Sequence, residues 1–597
     1  MTEYAAPLRD MHFILRELAG LDAVTALPGC EEATPDVVEA ILDEAGKFAA
    51  GVLAPINRAG DLQGCRLEAD GRVTTPEGWK EAWQQYVEAG WIGLSLPVDY
   101  GGQGLPKLVS TPVWEMWFST NMAFTMLPQL NVSQAEALRI AASDTLKQTW
   151  LPKVVSGEWG STMNLTEPQA GSDLAATRAR AEPAADGTYR VFGQKIFISW
   201  GEHELTENIV HLVLARLPDA PAGVKGLSLF LVPKFLLDAD GRPGAKNDVR
   251  CISIEHKLGI HGSPTCTMSY GDAGGAVGWL VGEPNRGLET MFIMMNEARF
   301  GVGVQGAGLG ERAYQMALAY ARERVQGRDA ITGEAGKPIL CHPDVKRMLL
   351  SLRARVMAMR ALLYTAAAWF DTAHHHPDAT VAGKAQRYVD LLMPVAKGWC
   401  TEVGQQACWD AIQVFGGMGF VEETGIAQFA RDSRIITIYE GTTGIQANDL
   451  VGRKILREGG ETLRELIAEL RATITALRAE PGFGPIVDGL AENVGALSEA
   501  THWLLAAGKE RHAEALAAAV PFLHLLGTVC GSWQMARLAL AARRCLAAGE
   551  GDAAYHASLV ELACFWMATF APHAAAHLRT VQSAGAPLAA FDDTAFY

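Results

Sequence analysis

Apolar residues fall at three- and four-residue intervals through "PDVVEAILDEAGKFAAGVLAPINRAG", and "PEGWKEAWQQYVEAG" adds a proline start and a glycine stop. These patterns predict a helical domain over residues 1–160, with an N-terminal extension at its head. Over residues 161–283 the texture changes. "TYRVFGQKIFIS", "NIVHLVLARL" and "GLSLFLVPKF" are short β-branched and aromatic runs separated by Gly, Pro and Asp, and they predict a middle β domain. Helical spacing resumes at "LETMFIMMNEARFGVGVQGAGLGERAYQMALAYARERV" and predicts a helical domain over 284–455. A break at "LREGG" opens a C-terminal helical extension, 456–597, rich in alanine and leucine. The expected fold class is mainly α with an inserted β domain.

Charge and composition narrow the choices. Within the extension, Arg457, Arg464, Arg471 and Arg478 recur at a heptad spacing, which describes either a basic stripe or a solvated face. Glu461, Glu465 and Glu469 are interleaved with them and favour the solvated face. The extension carries ten Lys/Arg against fifteen Asp/Glu, and the whole chain has a formal charge of −16. No nucleic-acid partner is expected, because phosphate-backbone binding needs a basic patch. Ten cysteines without a CxxC pair read as reduced thiols of a cytoplasmic protein.

The start, "MTEYAAPLRD", places acids where a signal peptide would be basic. The apolar stretch "EALAAAVPFLHLLGTVCGSWQMARLALA" is interrupted by Pro521, His524 and Arg537, so it predicts a buried helical pair and no membrane span. "HHH" at 374–376 precedes Pro377; consecutive histidines on a helix do not face one point, and no metal site is expected.

Three stretches carry candidate chemistry. "NLTEPQAGSDLAATRARA" offers Thr166, Gly171 and Ser172, a set that suits close approach of an anion or, equally, a turn capped by Ser172 or Asp173. "GQKIFISWGEHE" presents Phe197, Ile198 and Ser199, either as a wall for a flat heterocycle or as an ordinary strand. "WDAIQVFGGMGFVEETGIAQFARDSRIITIYEGTTGIQ" clusters Gly416, Gly417 and Gly419, then delivers Glu440 after an apolar run. A lone buried carboxylate is costly unless it is paired or protonated, and Arg431 or Arg434 is the ordinary partner to expect. Ile436, Ile438 and Tyr439 are expected to make a dry pocket around Glu440. Gly441 allows the chain to turn there.

In this order "TEPQAGSD", "FIS", "QVFGGMGF" and "IYEGTTGIQ" resemble the acyl-CoA dehydrogenase family. The resemblance covers residues 40 to 455. The longer chain resembles the roughly 600-residue branch that includes the methylthiopropanoyl-CoA dehydrogenases. An acyl-CoA dehydrogenase-like fold is implied: a helical domain, a β-barrel-like domain and a helical bundle, here followed by the extra helices. FAD is the implied cofactor. Thr166 and Ser199 match residues that bind the isoalloxazine, Ser172 the residue on the pyrophosphate, and Phe197 the aromatic that packs on the ring. Gln413 and Gly417 match positions that contact FAD held by a neighbouring subunit, which implies a homodimer or a dimer of dimers.

Glu440 matches the catalytic base, and Thr442 the residue behind it near the flavin. Arg299 matches an arginine beside the active site, and Tyr439 and Gly441 fall to the substrate side. A subset of the family carries its base immediately before that arginine; here the position is Ala298, and Glu297 points about 100° away on a helix. One departure stands out. The family usually shows an arginine, two residues, then Phe-Gly; this chain reads "ERVQGR", so Arg324 keeps its place but the phenylalanine is missing. The implied reaction is α,β-dehydrogenation of an acyl-CoA thioester, the α-proton passing to Glu440 and the β-hydride to flavin N5. An electron-transfer flavoprotein is the expected acceptor. The competing implications are an acyl-CoA oxidase that uses O₂ and a flavin-bearing relative associated with DNA.

Overall fold

The computed structural model describes residues 3–596. Two compact units form, one from the described parts of Met1–Gly46, Pro106–Ser119 and Val302–Tyr597, the other from Lys47–Leu105 and Thr120–Gly301.

The second unit holds the β domain. Its strands are β1 (Trp159–Asn164), β2 (Arg180–Pro183), β3 (Tyr189–Ser199), β4 (Asn208–Arg216), β5 (Leu227–Pro233), β6 (Val249–Ile254), β7 (Thr265–Tyr270) and β8 (Ala276–Val281). They pair in the order β6-β7-β3-β8-β5-β4-β1, with β2 against β3 and β4. β1 runs parallel to β4, and the remaining neighbours along that order are antiparallel. Val191 and Ile198 from β3 turn inward beside Val213, Phe230, Cys266 and Tyr270 to make the core. Trp79, on the helix Trp79–Glu88, stacks on Trp200 at 6.0 Å and fixes helical residues of the same unit to the end of β3.

A polar chain runs through this core. The His211 Nδ1 and Thr162 Oγ1 atoms lie 2.6 Å apart, Asn164 donates to Thr162 Oγ1 at 2.7 Å, and Tyr270 donates to Asn164 at 2.8 Å. Burial pushes the His211 imidazole down to about 3 and holds His203 well below the usual histidine range. Both rings are therefore neutral at physiological pH.

The first unit is a helical assembly. Its elements include α1 (Lys107–Ala141), α2 (Gly287–Glu323), α3 (Pro343–His375), α4 (Ala379–Pro394), α5 (Cys400–Phe415), α6 (Thr443–Asn448), α7 (Glu461–Arg478), α8 (Gly484–Glu510), α9 (Ala519–Ala548) and α10 (Ala553–Thr569). The chain passes between the units within α1 and again within α2. Pro343 occupies the first position of α3, where a missing N–H costs nothing, and the helix ends before His376. The three histidines thus lie at a helix terminus. His374 bonds the Phe370 carbonyl and His375 the Pro28 carbonyl, and no metal-binding cluster is found among the described residues.

Pro521 is accommodated in the first turn of α9. The stretch read as a helical pair is the short helix His512–Ala517 followed by α9, whose sides are buried nearly all round. Among the described residues Ala553–Ser583 is long and apolar enough to span a membrane, but it breaks after Thr569, and α10 packs on α9. The arginine heptad faces solvent, with Arg457 just before α7 and the other three on it, and two of the interleaved glutamates pair with α4: Glu465 with Arg387 at 2.9 Å and Glu469 with Lys384 at 2.7 Å.

One buried ion cluster locks this unit. The Arg360 guanidinium on α3 is fully buried and donates to Glu115 of α1 at 2.8 Å and to Glu311 of α2 at 2.8 Å. Tyr364 donates to the same Glu115 carboxylate at 2.8 Å. Burial alone would weaken the guanidinium charge, but Glu115 and Glu311 outweigh it and hold the pKa well above the ordinary arginine value.

Two expectations follow. Arg360→Met leaves two carboxylates unpaired in the core and is expected to lower unfolding free energy by about 3–5 kcal/mol, read by denaturant titration. Folded-state pKa values below the unfolded ones make His203 and His211 destabilising as pH falls below about 6.5, by about 1.4 kcal/mol per pH unit for each ring. His211→Leu is expected to flatten the acid limb of a stability–pH curve by about one proton.

Candidate active site

The candidate residues separate into one group in each unit. In the β-containing unit, Thr166 follows β1 and accepts a backbone bond at its carbonyl from Ile196 of β3 at 2.9 Å. A β-bulge interrupts the β3–β7 register between Lys195 and Ile198. At that bulge Phe197 takes φ = +59°, an unusual value for an aromatic residue, and is 58 % exposed. Ile198 turns the other way, into the domain core. The expected wall is therefore Phe197 alone, because the strand alternation assigns Ile198 to packing. Ser199 and Thr166 are both half-buried, and Ser172 is exposed beside Gly171, next to which a side chain would meet open space. Asp173 caps the following turn by accepting from Ala175 N at 2.9 Å. An exposed aromatic with hydroxyl side chains on neighbouring strand ends fits a flat heterocycle such as a flavin, and the open Gly171–Ser172 turn fits its phosphates.

Beneath Thr166 lies a second buried ion pair. The Lys195 ammonium, fully buried, donates to the Leu165 carbonyl at 3.0 Å and to Glu167 at 2.8 Å, so it brackets Thr166 on both sides. Glu167 also accepts from the backbone N–H groups of Arg178 and Ala179. Burial tends to raise the Glu167 pKa, but the Lys195 charge and these donors hold it below the usual carboxylate range. Burial in turn pulls Lys195 down to about 8. Arg299, also in this unit, is buried on α2, bonds Asn296 at 3.3 Å and lies over the Phe292 ring.

The other group belongs to the helical unit. Arg434–Thr437 is a 3₁₀ turn, after which the chain swings through Glu440 at φ = +56° and Gly441 at φ = +92°. Two left-handed residues in succession, one of them not glycine, are costly and persist only where the surroundings enforce them. Here Gln446 Nε2 donates to the Glu440 carbonyl at 3.0 Å, and Lys397 Nζ donates to the Gly441 carbonyl at 2.6 Å. Thr442 then caps α6 by accepting from Ile445 N at 3.3 Å, so its hydroxyl is engaged in the helix start. Thr443 donates to Glu402 of α5 at 2.6 Å.

The pocket around Glu440 is less dry than the sequence implied. Glu440 and Tyr439 are half-buried, and Ile438 is 44 % exposed because the 3₁₀ turn, with no strand alternation, directs it outward; Ile436 alone is fully enclosed. Tyr439 donates its hydroxyl to Gln305 of α2, and burial together with the Glu440 charge raises its pKa well above the usual phenol value. Of the two arginines expected as ordinary partners, Arg431 pairs with Glu422 at 3.1 Å, and Arg434 bonds Gln405 at 3.2 Å.

Gln413, in the last turn of α5, and Gly417 are exposed, and Gly416 and Gly417 have open space where a side chain would be. Phe420 beside them is 93 % exposed. Arg324 is exposed at the end of α2; its carbonyl accepts from Ile339 N at 2.7 Å, and Val325 bridges Pro338. The chain thus leaves α2 directly into a small hairpin, with no phenylalanine there.

Family profiles match most of the chain. The acyl-CoA dehydrogenase N-terminal, middle and C-terminal domains match residues 35–158, 162–273 and 285–456, and an acetyl-CoA dehydrogenase C-terminal-like domain matches 466–592. The chain belongs to the acyl-CoA dehydrogenase family. It is 48% identical over 555 residues to the 3-methylmercaptopropionyl-CoA dehydrogenase of Ruegeria pomeroyi, covering 92% of this chain and 93% of that protein. To a butyryl-CoA dehydrogenase of Syntrophomonas wolfei it is 34% identical over 587 residues, 95% of each chain. Among solved structures, an acyl-CoA dehydrogenase complexed with FAD from Bacillus anthracis superposes with a TM-score of 0.75 at 20% identity, over 96% of this chain and 92% of that one.

As an acyl-CoA dehydrogenase it is an FAD-dependent oxidoreductase. Lys195, Lys397 and Gln446 escaped the sequence reading. A lysine two residues before Phe197 and a glutamine closing the "GIQ" motif are visible, but their contacts arise only on folding. A Cβ on Gly441 would lie 2.7 Å from Gln446 Nε2 in a backbone region that L residues avoid. Gly441→Ala is therefore expected to cost about 1–2 kcal/mol in thermal unfolding and to slow substrate-driven flavin bleaching.

Proposed function

We propose that this acyl-CoA dehydrogenase uses Glu440 as its only base, and that its substrate is a short thioether acyl-CoA of the 3-methylmercaptopropionyl type. The observation that carries the base assignment is the enforced left-handed corner: Glu440 is held at φ = +56°, with its carbonyl tied back by Gln446. Backbone strain of this kind is retained where a side chain must be aimed. Ala298, buried on α2, offers no competing carboxylate. The substrate assignment is supported by the 48% identity to the Ruegeria enzyme across nearly the whole chain.

A carboxylate oxygen of Glu440 takes the proton from the carbon α to the thioester. The negative charge that develops on the thioester oxygen is met by the Glu440 backbone N–H, a donor fixed in advance by the corner. The chemistry that bound FAD would supply is acceptance of the β-hydrogen with its electron pair, which would leave an α,β-unsaturated acyl-CoA. Thr166, Ser199 and Phe197 would hold its ring system and Ser172 its pyrophosphate, with Thr442 and Arg324 as further contacts. Arg299, Tyr439 and Gly441 would border the substrate. Exposed Gln413, Gly417 and Phe420 suit burial against a second subunit, so a homodimer or dimer of dimers is part of the proposal, as are a cytoplasmic location and an electron-transfer flavoprotein as acceptor.

Glu440→Gln is expected to retain yellow FAD and to bleach with acyl-CoA about 10²–10⁴-fold more slowly; bleaching at the wild-type rate removes Glu440 as base. In a panel of acyl-CoAs, 3-methylmercaptopropionyl-CoA is expected to give the fastest anaerobic bleaching, ahead of butyryl-CoA and longer chains. Rapid peroxide formation when the reduced enzyme meets air would instead mark an oxidase.

A further inference from the structure

Lys397 is fully buried, and its sequence neighbourhood gives no hint of a role. It lies in Val395–Trp399, a one-turn π-helical widening between α4 and α5 that follows Pro394. Such widenings are frequent at functional sites. Withdrawing an ammonium from water costs several kcal/mol, so its contacts need a reason. The 2.6 Å bond from its Nζ to the Gly441 carbonyl supplies one. Gln446 holds the preceding carbonyl, that of Glu440, at 3.0 Å. Two side-chain donors thus grip two successive peptide groups, and those are the two residues with positive φ.

The widening is itself backed by the C-terminal extension. A Cβ on Gly398 would lie 2.6 Å from Leu523 of α9 and 3.5 Å from Gln446 of α6, and one on Gly527 of α9 would lie 2.2 Å from Trp399. The segment carrying Lys397 and the extension therefore touch with no room for a methyl group, and the helix after the corner lies at ordinary van der Waals distance from that segment.

We infer that Lys397 is a positioning residue for Glu440, held in place by α9, so that the extension acts as the back wall of the catalytic corner. The inference rests on Glu440 being the base. Lys397 does not touch substrate; it fixes the peptide that aims the carboxylate. Its loss should therefore lower the rate of flavin reduction and leave acyl-CoA affinity and FAD content in place.

The test uses purified holoenzyme in anaerobic stopped flow. Lys397→Met is expected to reduce flavin about 10- to 100-fold more slowly at saturating acyl-CoA, with the dissociation constant from spectral titration within about twofold of wild type. A wild-type reduction rate, or a loss confined to affinity, overturns the inference. Should Lys397→Met not yield folded holoenzyme, Leu523→Ala carries the test: slower reduction with unchanged affinity supports the back wall, and an unchanged rate refutes it. Glu440→Gln measured alongside separates the two levels. A fast Glu440→Gln enzyme sinks the base assignment, whereas a slow one beside a fast Lys397→Met enzyme sinks only this inference.

Discussion

A charge taken out of water must be met by an opposite charge or by well-aimed dipoles, and among the described residues three cationic side chains are completely buried. Arg360 is met by Glu115 and Glu311, Lys195 by Glu167 and a carbonyl, and Lys397 by the carbonyl of Gly441. Each anchors a different part of the molecule. The first gathers α1, α2 and α3, the second holds the loop that carries Thr166 against β3, and the third sits behind Glu440. Around these fixed points the apolar packing can be generic. What the buried charges add is registry, since moving any of them by a few ångströms strands a charge in a dry interior.

The candidate chemistry follows the same logic on a smaller scale. Phe197 and Glu440 are both non-glycine residues with positive φ. The backbone is bent so that one side chain leaves the core. In β3 the bend is a bulge enforced by pairing with β7; before α6 it is a corner enforced by Gln446 and Lys397. The two solutions differ because a strand can lean on a neighbouring ladder, whereas a loop between helices has to borrow donors from elsewhere.

Much of the fold was legible in the sequence because helical and strand periods are local. The runs containing β3, β4 and β5 could be read directly, and so could the helix that carries Ala298 and Arg299. The motif residues from Thr166 to Glu440 were legible through their order. What could not be read was which partners they would meet. Glu115 and Arg360 are 245 positions apart, and nothing in either neighbourhood announces the other. Ile438 was expected to help enclose a dry pocket, but the segment winds into a 3₁₀ turn and that side chain comes out 44 % exposed. Lys397 was overlooked because a lysine inside a helical run is ordinarily a surface residue.

The N-terminal segment has a consequence for the order of assembly. Asp10 accepts from Arg353, 343 residues downstream, and from Tyr555, 545 residues downstream. The segment around Asp10 therefore waits for a residue made 545 positions later before its bonds can close. Residues 47–105 and 120–301, by contrast, have all their unit partners in hand once about half the polypeptide has been made. During synthesis the β domain has a complete template, while the segment around Asp10 stays without one until Tyr555 has been made.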